Sequence, residues 1–202
     1  FIIINIELLE IVLDGLLGTH RLFAPLLGSF YNILIASFEL LALLVLVAVF
    51  FFWARRNVIK IKRFWKAEMK GWPKYDADLI LYFEVVLMSL FLCMNATDFL
   101  IQQQDVPHFI KAGSFPVSQF LLPLFDGFAL ETLLILERIF WWAHIAGILF
   151  FLNYLYYSKH LHILLAFPNT FYAKLVPDGK FEVDQNIKNE VMLMLYPDQT
   201  EP

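Results

Sequence analysis

His144 and His162 stand eighteen residues apart near the end of a long apolar stretch, in the settings Trp141-Trp142-Ala143-His144 and Ser158-Lys159-His160-Leu161-His162-Ile163. On one continuous α-helix that spacing is about five turns, which would put both imidazoles on one face about 27 Å apart along the axis. Such a separation suits two haems stacked across a bilayer whose apolar core is roughly 30 Å thick. Ligation through Nε2 would leave Nδ1–H for a backbone or carboxylate acceptor. A lone buried histidine is more often a hydrogen-bonded core residue, and His160 and His162 fall at an interface where imidazole costs little. The spacing is what favours His144 and His162 as candidate iron ligands.

Carboxylates form the second chemical signal. Glu7, Glu10 and Asp14 follow one another at intervals of three and four, the spacing of one helical face. Glu39, Glu84, Asp98, Glu131 and Glu137 place further acids in apolar stretches, and Arg138 is the one basic residue deep in such a stretch. An ionised group at a membrane helix centre costs roughly 2.5 to 3.5 kcal/mol, so these side chains must point into a bundle. Two readings stand side by side. In one, Arg138 neutralises Glu137 or an acid of the first segment; in the other, Glu7, Glu10 and Asp14 line a proton path to a quinone and Arg138 holds a carboxylate or a haem propionate.

The elements that must position these groups are membrane helices. Of 202 residues, 60% are hydrophobic, against about 45 to 50% in soluble domains. Apolar runs near twenty residues predict an all-α helical bundle with four transmembrane segments at about 1–17, 29–54, 78–101 and 127–157. A membrane domain 1–168 would be followed by a linker, 169–202. Eight of the fifteen Lys and Arg residues lie between Arg55 and Lys74, which by the positive-inside rule puts that loop and the tail after Ser158 on the cytoplasmic side of the membrane. Between segments three and four, Phe115 to Leu124 is expected to form a short re-entrant or interfacial helix. In the tail, Ile187, Val191 and Met194 predict a linker helix. The start at Phe1 inside an apolar run and the polar end at Pro202 are those of a fragment, with a further helix portion expected before it and a soluble domain after it.

From Trp141 to Asn169 the chain resembles the last helix of the nitrate reductase gamma subunit type of cytochrome b, the type found in the heterodisulfide reductase membrane subunit. Ser158, Lys159, His162 and Ile163, then Ala166, Phe167, Pro168 and Asn169, stand against the Ser-Lys-x-x-His-Ile-x-x-Ala-Pro-x-Asn pattern of that family. The resemblance implies a five-helix cytochrome b domain whose final helix gives one ligand to each of two haems b, and it selects His162 over His160. It is closer still to the fused bacterial form, in which such a domain precedes a cytoplasmic 4Fe–4S domain on the same polypeptide, as in electron-transfer-flavoprotein to menaquinone oxidoreductases. The implied partners are membrane lipid, menaquinone or another quinone, the Fe–S domain and an electron-transfer flavoprotein. The chain departs from the family where helix two should supply the opposing ligands: residues 1–17 hold no histidine, and Asn5, Glu7 and Glu10 occupy that region. One haem or two, or a quinone-binding His144, are therefore all open. Met88 and Met94 offer thioethers, a known axial ligand type, and Met94 reads better as packing.

Other chemistries are excluded more simply. Cys93 is the single cysteine, so this chain forms no internal disulfide and holds no Fe–S cluster alone. P-loop, dinucleotide and His-Glu-x-x-His patterns are missing. The basic cluster is juxtamembrane and suits anionic lipid rather than nucleic acid. The sequence thus predicts an electron-transferring membrane domain of a quinone-linked oxidoreductase. The rival is a non-redox anchor or an ion or proton transporter segment, which the lack of internal repeats disfavours.

Overall fold

The computed structural model describes residues 2–65, 71–175 and 185–196, and among these the regular structure is entirely helical, without a strand. Eight α-helices follow in order: α1 (Ile2–Leu17), α2 (Ala24–Leu27), α3 (Ser29–Asn57), α4 (Trp72–Gln102), α5 (Leu122–Phe125), α6 (Leu130–Leu155), α7 (Leu161–Phe171) and α8 (Gln185–Leu195). Three of them, α3, α4 and α6, are long and apolar enough to cross a membrane. Helix α1 has 16 residues, which at 1.5 Å each span about 24 Å, short of a bilayer core. The chain divides into two compact units, Phe1–Leu161 and His162–Pro202.

In the first unit α4 is central and packs against both α3 and α6. It begins six residues before the apolar run at Asp78, because Gly71 takes φ +79° and Pro73 stands in the first turn, where its missing N–H costs nothing. Tyr31, Phe38, Ala42, Phe91 and Leu92 form the core between α3 and α4. Helix α6 closes on α4 at Gly147, where an added Cβ would lie 2.6 Å from Leu87 Cδ2.

Two carboxylates pin α4 at its ends. Asp76, in the first turns and thus well placed on the helix dipole, accepts from Tyr154 Oη at 2.5 Å, Ser158 Oγ at 3.1 Å and the Lys159 N–H at 3.1 Å. These bonds hold the segment where α6 stops, at Leu155, followed by turns through residue 160. Helix α6 thus ends within two residues of the end of the predicted segment 127–157, α7 is a separate helix, and the five-turn spacing, which needs one continuous helix from His144 to His162, does not apply. At the other end Asp98 receives Arg21 and His20 from the α1–α2 turn.

The connection 103–121 has little regular structure, and several of its backbone donors are satisfied by side chains, as desolvated N–H groups require. Ile110 N–H donates to His20 Nδ1 at 3.1 Å, Ala112 N–H to Gln102 Oε1 at 3.3 Å and Gly113 N–H to Asn32 Oδ1 at 2.8 Å. Fully buried Glu39 accepts from the Val117 N–H at 2.8 Å, the Ser118 N–H at 3.1 Å and the Ser118 hydroxyl. The interfacial helix expected at 115–124 is a 3₁₀ turn, Ser118–Leu121, running into α5.

In the second unit, α7 presents Ile163, Leu164, Phe167 and Phe171 as exposed side chains. Helix α8 carries Ile187, Val191 and Met194, the residues that predicted a helix in the tail. Ile187, Val191 and Met194 are exposed on it.

Candidate functional site: a polar and an apolar cavity joined at Glu7

The α1–α2 turn folds back because Asp14 caps it. Its carboxylate accepts from Thr19 Oγ1 at 2.7 Å, the Arg21 N–H at 2.9 Å and the Leu22 N–H at 3.1 Å. One turn earlier Glu10, buried, accepts from the Phe23 N–H and from Tyr31 Oη, both at 3.0 Å. These bonds drive Arg21, itself buried, inward toward α4. There Nε donates to Asp98 Oδ2 at 2.9 Å and Nη2 to the same oxygen at 2.5 Å, while Nη1 donates to Tyr31 Oη at 3.2 Å. The guanidinium also lies 5.0 Å from the Phe115 ring centroid, a cation–π distance. Burial opposes its charge, but Asp98 and Tyr31 outweigh burial and hold Arg21 above its ordinary pKa.

Glu7, Glu10, Asp14 and Arg138 line one cavity of about 60 Å³, together with His20, Arg21, Tyr31, Asn95, Asp98 and Glu137. Arg138 Nε sits 3.3 Å from Glu137 Oε2, with its own side chain 47% exposed and that of Glu137 at 6%. The structure thus brings the four acid-path residues of the sequence analysis to one place. It adds His20, Arg21, Tyr31 and Asn95, which the sequence analysis passed over. The signal for them was a His-Arg pair in a turn between two apolar runs, facing an aspartate near the end of a third.

A second cavity, about 330 Å³, adjoins the first through shared walls at Glu7, Ile11, Phe38 and Phe91. Its lining is largely apolar, from Leu8, Leu41, Val45, Leu87, Met88 and Ile148, and its polar groups are Glu7, Glu84 and His144. The volume is within the range of small-molecule pockets, roughly 300 to 1,000 Å³. His144 is buried with Nδ1 3.0 Å from the Leu87 carbonyl, so Nδ1 carries the proton and Nε2 is the basic nitrogen of a neutral ring. No described residue hydrogen-bonds to Nε2. The ring is further held 5.9 Å from Phe91.

The lining of this second cavity contains one imidazole and the Met88 thioether, with no second histidine. Among the described residues no cluster of three His, Cys, Asp or Glu side chains has metal-binding geometry. Among the described residues this lining offers no pair of histidines to hold a haem at His144. The cavity sets the His144 imidazole and the Glu7 and Glu84 carboxylates among largely apolar walls. His162 is exposed on α7, in the other unit. Met94 is 9% exposed in the core, a packing position.

The architecture and the joined cavities define an all-helical chain with three helices able to span a membrane and a buried polar network beside an apolar pocket. Against known proteins, the chain is similar to the probable iron–sulfur-binding oxidoreductase FadF of Bacillus subtilis (strain 168), with 25% identity over 182 residues. The match takes in 90% of this chain and 24% of that protein, so the chain spans about a quarter of the relative's length. No family model matches it, and no solved structure does.

Proposed function

We propose that this chain is the membrane electron-transfer domain of an iron–sulfur oxidoreductase, exchanging electrons with a quinone in the cavity beside His144. The apolar pocket beside a fixed imidazole whose Nε2 no described residue hydrogen-bonds is the observation that carries the reading. The similarity to an iron–sulfur-binding oxidoreductase along nearly the whole chain supports a redox role. Electrons would come from 4Fe–4S clusters on a cytoplasmic domain, with an electron-transfer flavoprotein as a candidate donor. The basic residues 55–74 and the tail after Ser158 face the same, cytoplasmic side.

The residues divide the work by chemistry. His144 Nε2 accepts a hydrogen bond from a quinol hydroxyl or, protonated, donates one to a quinone carbonyl. Leu87 holds the ring so that this nitrogen has one direction. Glu7, on the wall common to both cavities, passes protons between the quinone and the Glu10 and Asp14 side, while Arg138 balances Glu137. His162 is retained as the ligand of a haem b, a group that supplies one-electron transfer when bound.

The test is a dithionite-reduced minus oxidised spectrum with a haem count on the full-length membrane protein and on His162→Ala and His144→Ala. The expected result is haem b in the wild type, its loss in His162→Ala and its retention in His144→Ala with weakened quinone reduction. Loss of one haem equivalent in each variant would make both histidines ligands. A wild-type protein without haem and without quinone-dependent electron transfer would instead leave a non-redox proton or ion site built on the buried acids.

A further inference from the structure

His20 stands where the polar cavity meets the connection 103–121. The Ile110 N–H donates to Nδ1 at 3.1 Å, so Nδ1 is the unprotonated nitrogen and Nε2–H points to Asp98 Oδ1 at 3.0 Å. Outside it, the exposed His108 ring lies 6.3 Å away. Inside, it lines the same cavity as Glu10 and Glu7. The charged groups facing it are Asp98 on α4, Glu137 on α6 and its neighbour Arg21. The 60 Å³ of that cavity has room for a few waters among polar walls.

We propose that His20 is the proton-exchange residue through which the buried acids communicate with the aqueous side of the 103–121 connection. Loading moves a proton from a hydronium ion on the aqueous side to Nδ1, breaking its O–H bond and the Ile110 hydrogen bond. Unloading breaks the Nε2–H bond, and a cavity water hands that proton to the carboxylate of Glu10 or Glu7; transfer of the remaining proton from Nδ1 back to Nε2 through water restores the starting tautomer, and no electron moves. Arg21 stays charged throughout and keeps Asp98 ionised, so Asp98 orients the imidazole without trapping the proton. The inference rests on the reading that a quinone occupies the apolar cavity, since each quinone reduced to quinol takes up two protons with two electrons.

The test is an infrared pH-jump on the full-length protein in liposomes, following a buried carboxylic-acid band assigned by its loss in Glu7→Gln. In His20→Gln, which keeps a donor toward Asp98 and an acceptor toward Ile110, the band should rise about 10²-fold more slowly to the same amplitude. Free imidazole should restore the rate in His20→Ala, an effect that a purely structural role would not produce. An unchanged rate in His20→Gln, or a slow rate that imidazole leaves slow, overturns the proposal. A haem-free wild type with this His20-dependent phase intact would sink the electron-transfer reading alone.

Discussion

Arg21 and Asp98 are both buried and both charged, and their pairing decides what substitutions there do. Removing one member leaves the other without compensation, at a cost of about 3 to 5 kcal/mol. Asp98→Asn should therefore lower the thermal midpoint in detergent sharply, and more than Glu84→Gln, since Glu84 makes no ion pair among the described residues. Arg21→Lys should also destabilise, because an ammonium lacks the planar fork that reaches Asp98 and Tyr31 together. Little of this was legible in the sequence. Glu7, Glu10 and Asp14 read correctly as one helical face, yet the face alone does not say that Asp14 caps a turn while Glu10 grips Tyr31. Those roles depend on where the chain goes after Gly18, and that is set by tertiary packing.

Each long helix is fixed by a carboxylate or a glycine at a point of close approach. Glu39 gathers two backbone N–H groups, the Ser118 hydroxyl and the Asn95 amide at 3.2 Å. Glu39→Gln would leave at least one of these donors unpaired, a loss of about 1 to 3 kcal/mol. Amide exchange at Val117 and Ser118 should accelerate accordingly, and equal protection in wild type and variant would refute that anchoring role. Gly147→Ala would press a methyl group against Leu87, whose carbonyl orients His144. Overpacking of this kind costs about 1 to 3 kcal/mol, and quinone reduction should fall along with stability. The long helices were legible because nearly charge-free runs of this length have few other solutions. The end of α6 at Leu155 lies close to the predicted end at 157, but its cause was not legible, because Tyr154, Ser158 and Lys159 bind an aspartate some eighty residues earlier in the chain.

At the scale of the molecule, if α3, α4 and α6, the helices able to cross a membrane, all do so, residue 60 and the chain after α6 lie on one side and residue 105 on the other. Cysteines introduced at Lys60, Lys174 and Asp105 in a Cys93→Ala background should label from sides arranged in that way; labelling of all three from one side would remove one crossing. The pinning of α4 by Asp76 and Asp98 has a consequence for the lipid. The two carboxylates are separated by about 33 Å of helix, and both are fastened to other parts of the chain. A lone helix meets a thinner or thicker bilayer by tilting or sliding, but α4 cannot tilt or slide against the rest of its unit without tearing one carboxylate from its donors. The domain is thus a gauge of fixed length: lipids must adapt to it, and its stability should peak in bilayers of one matching acyl-chain length and decline on both sides.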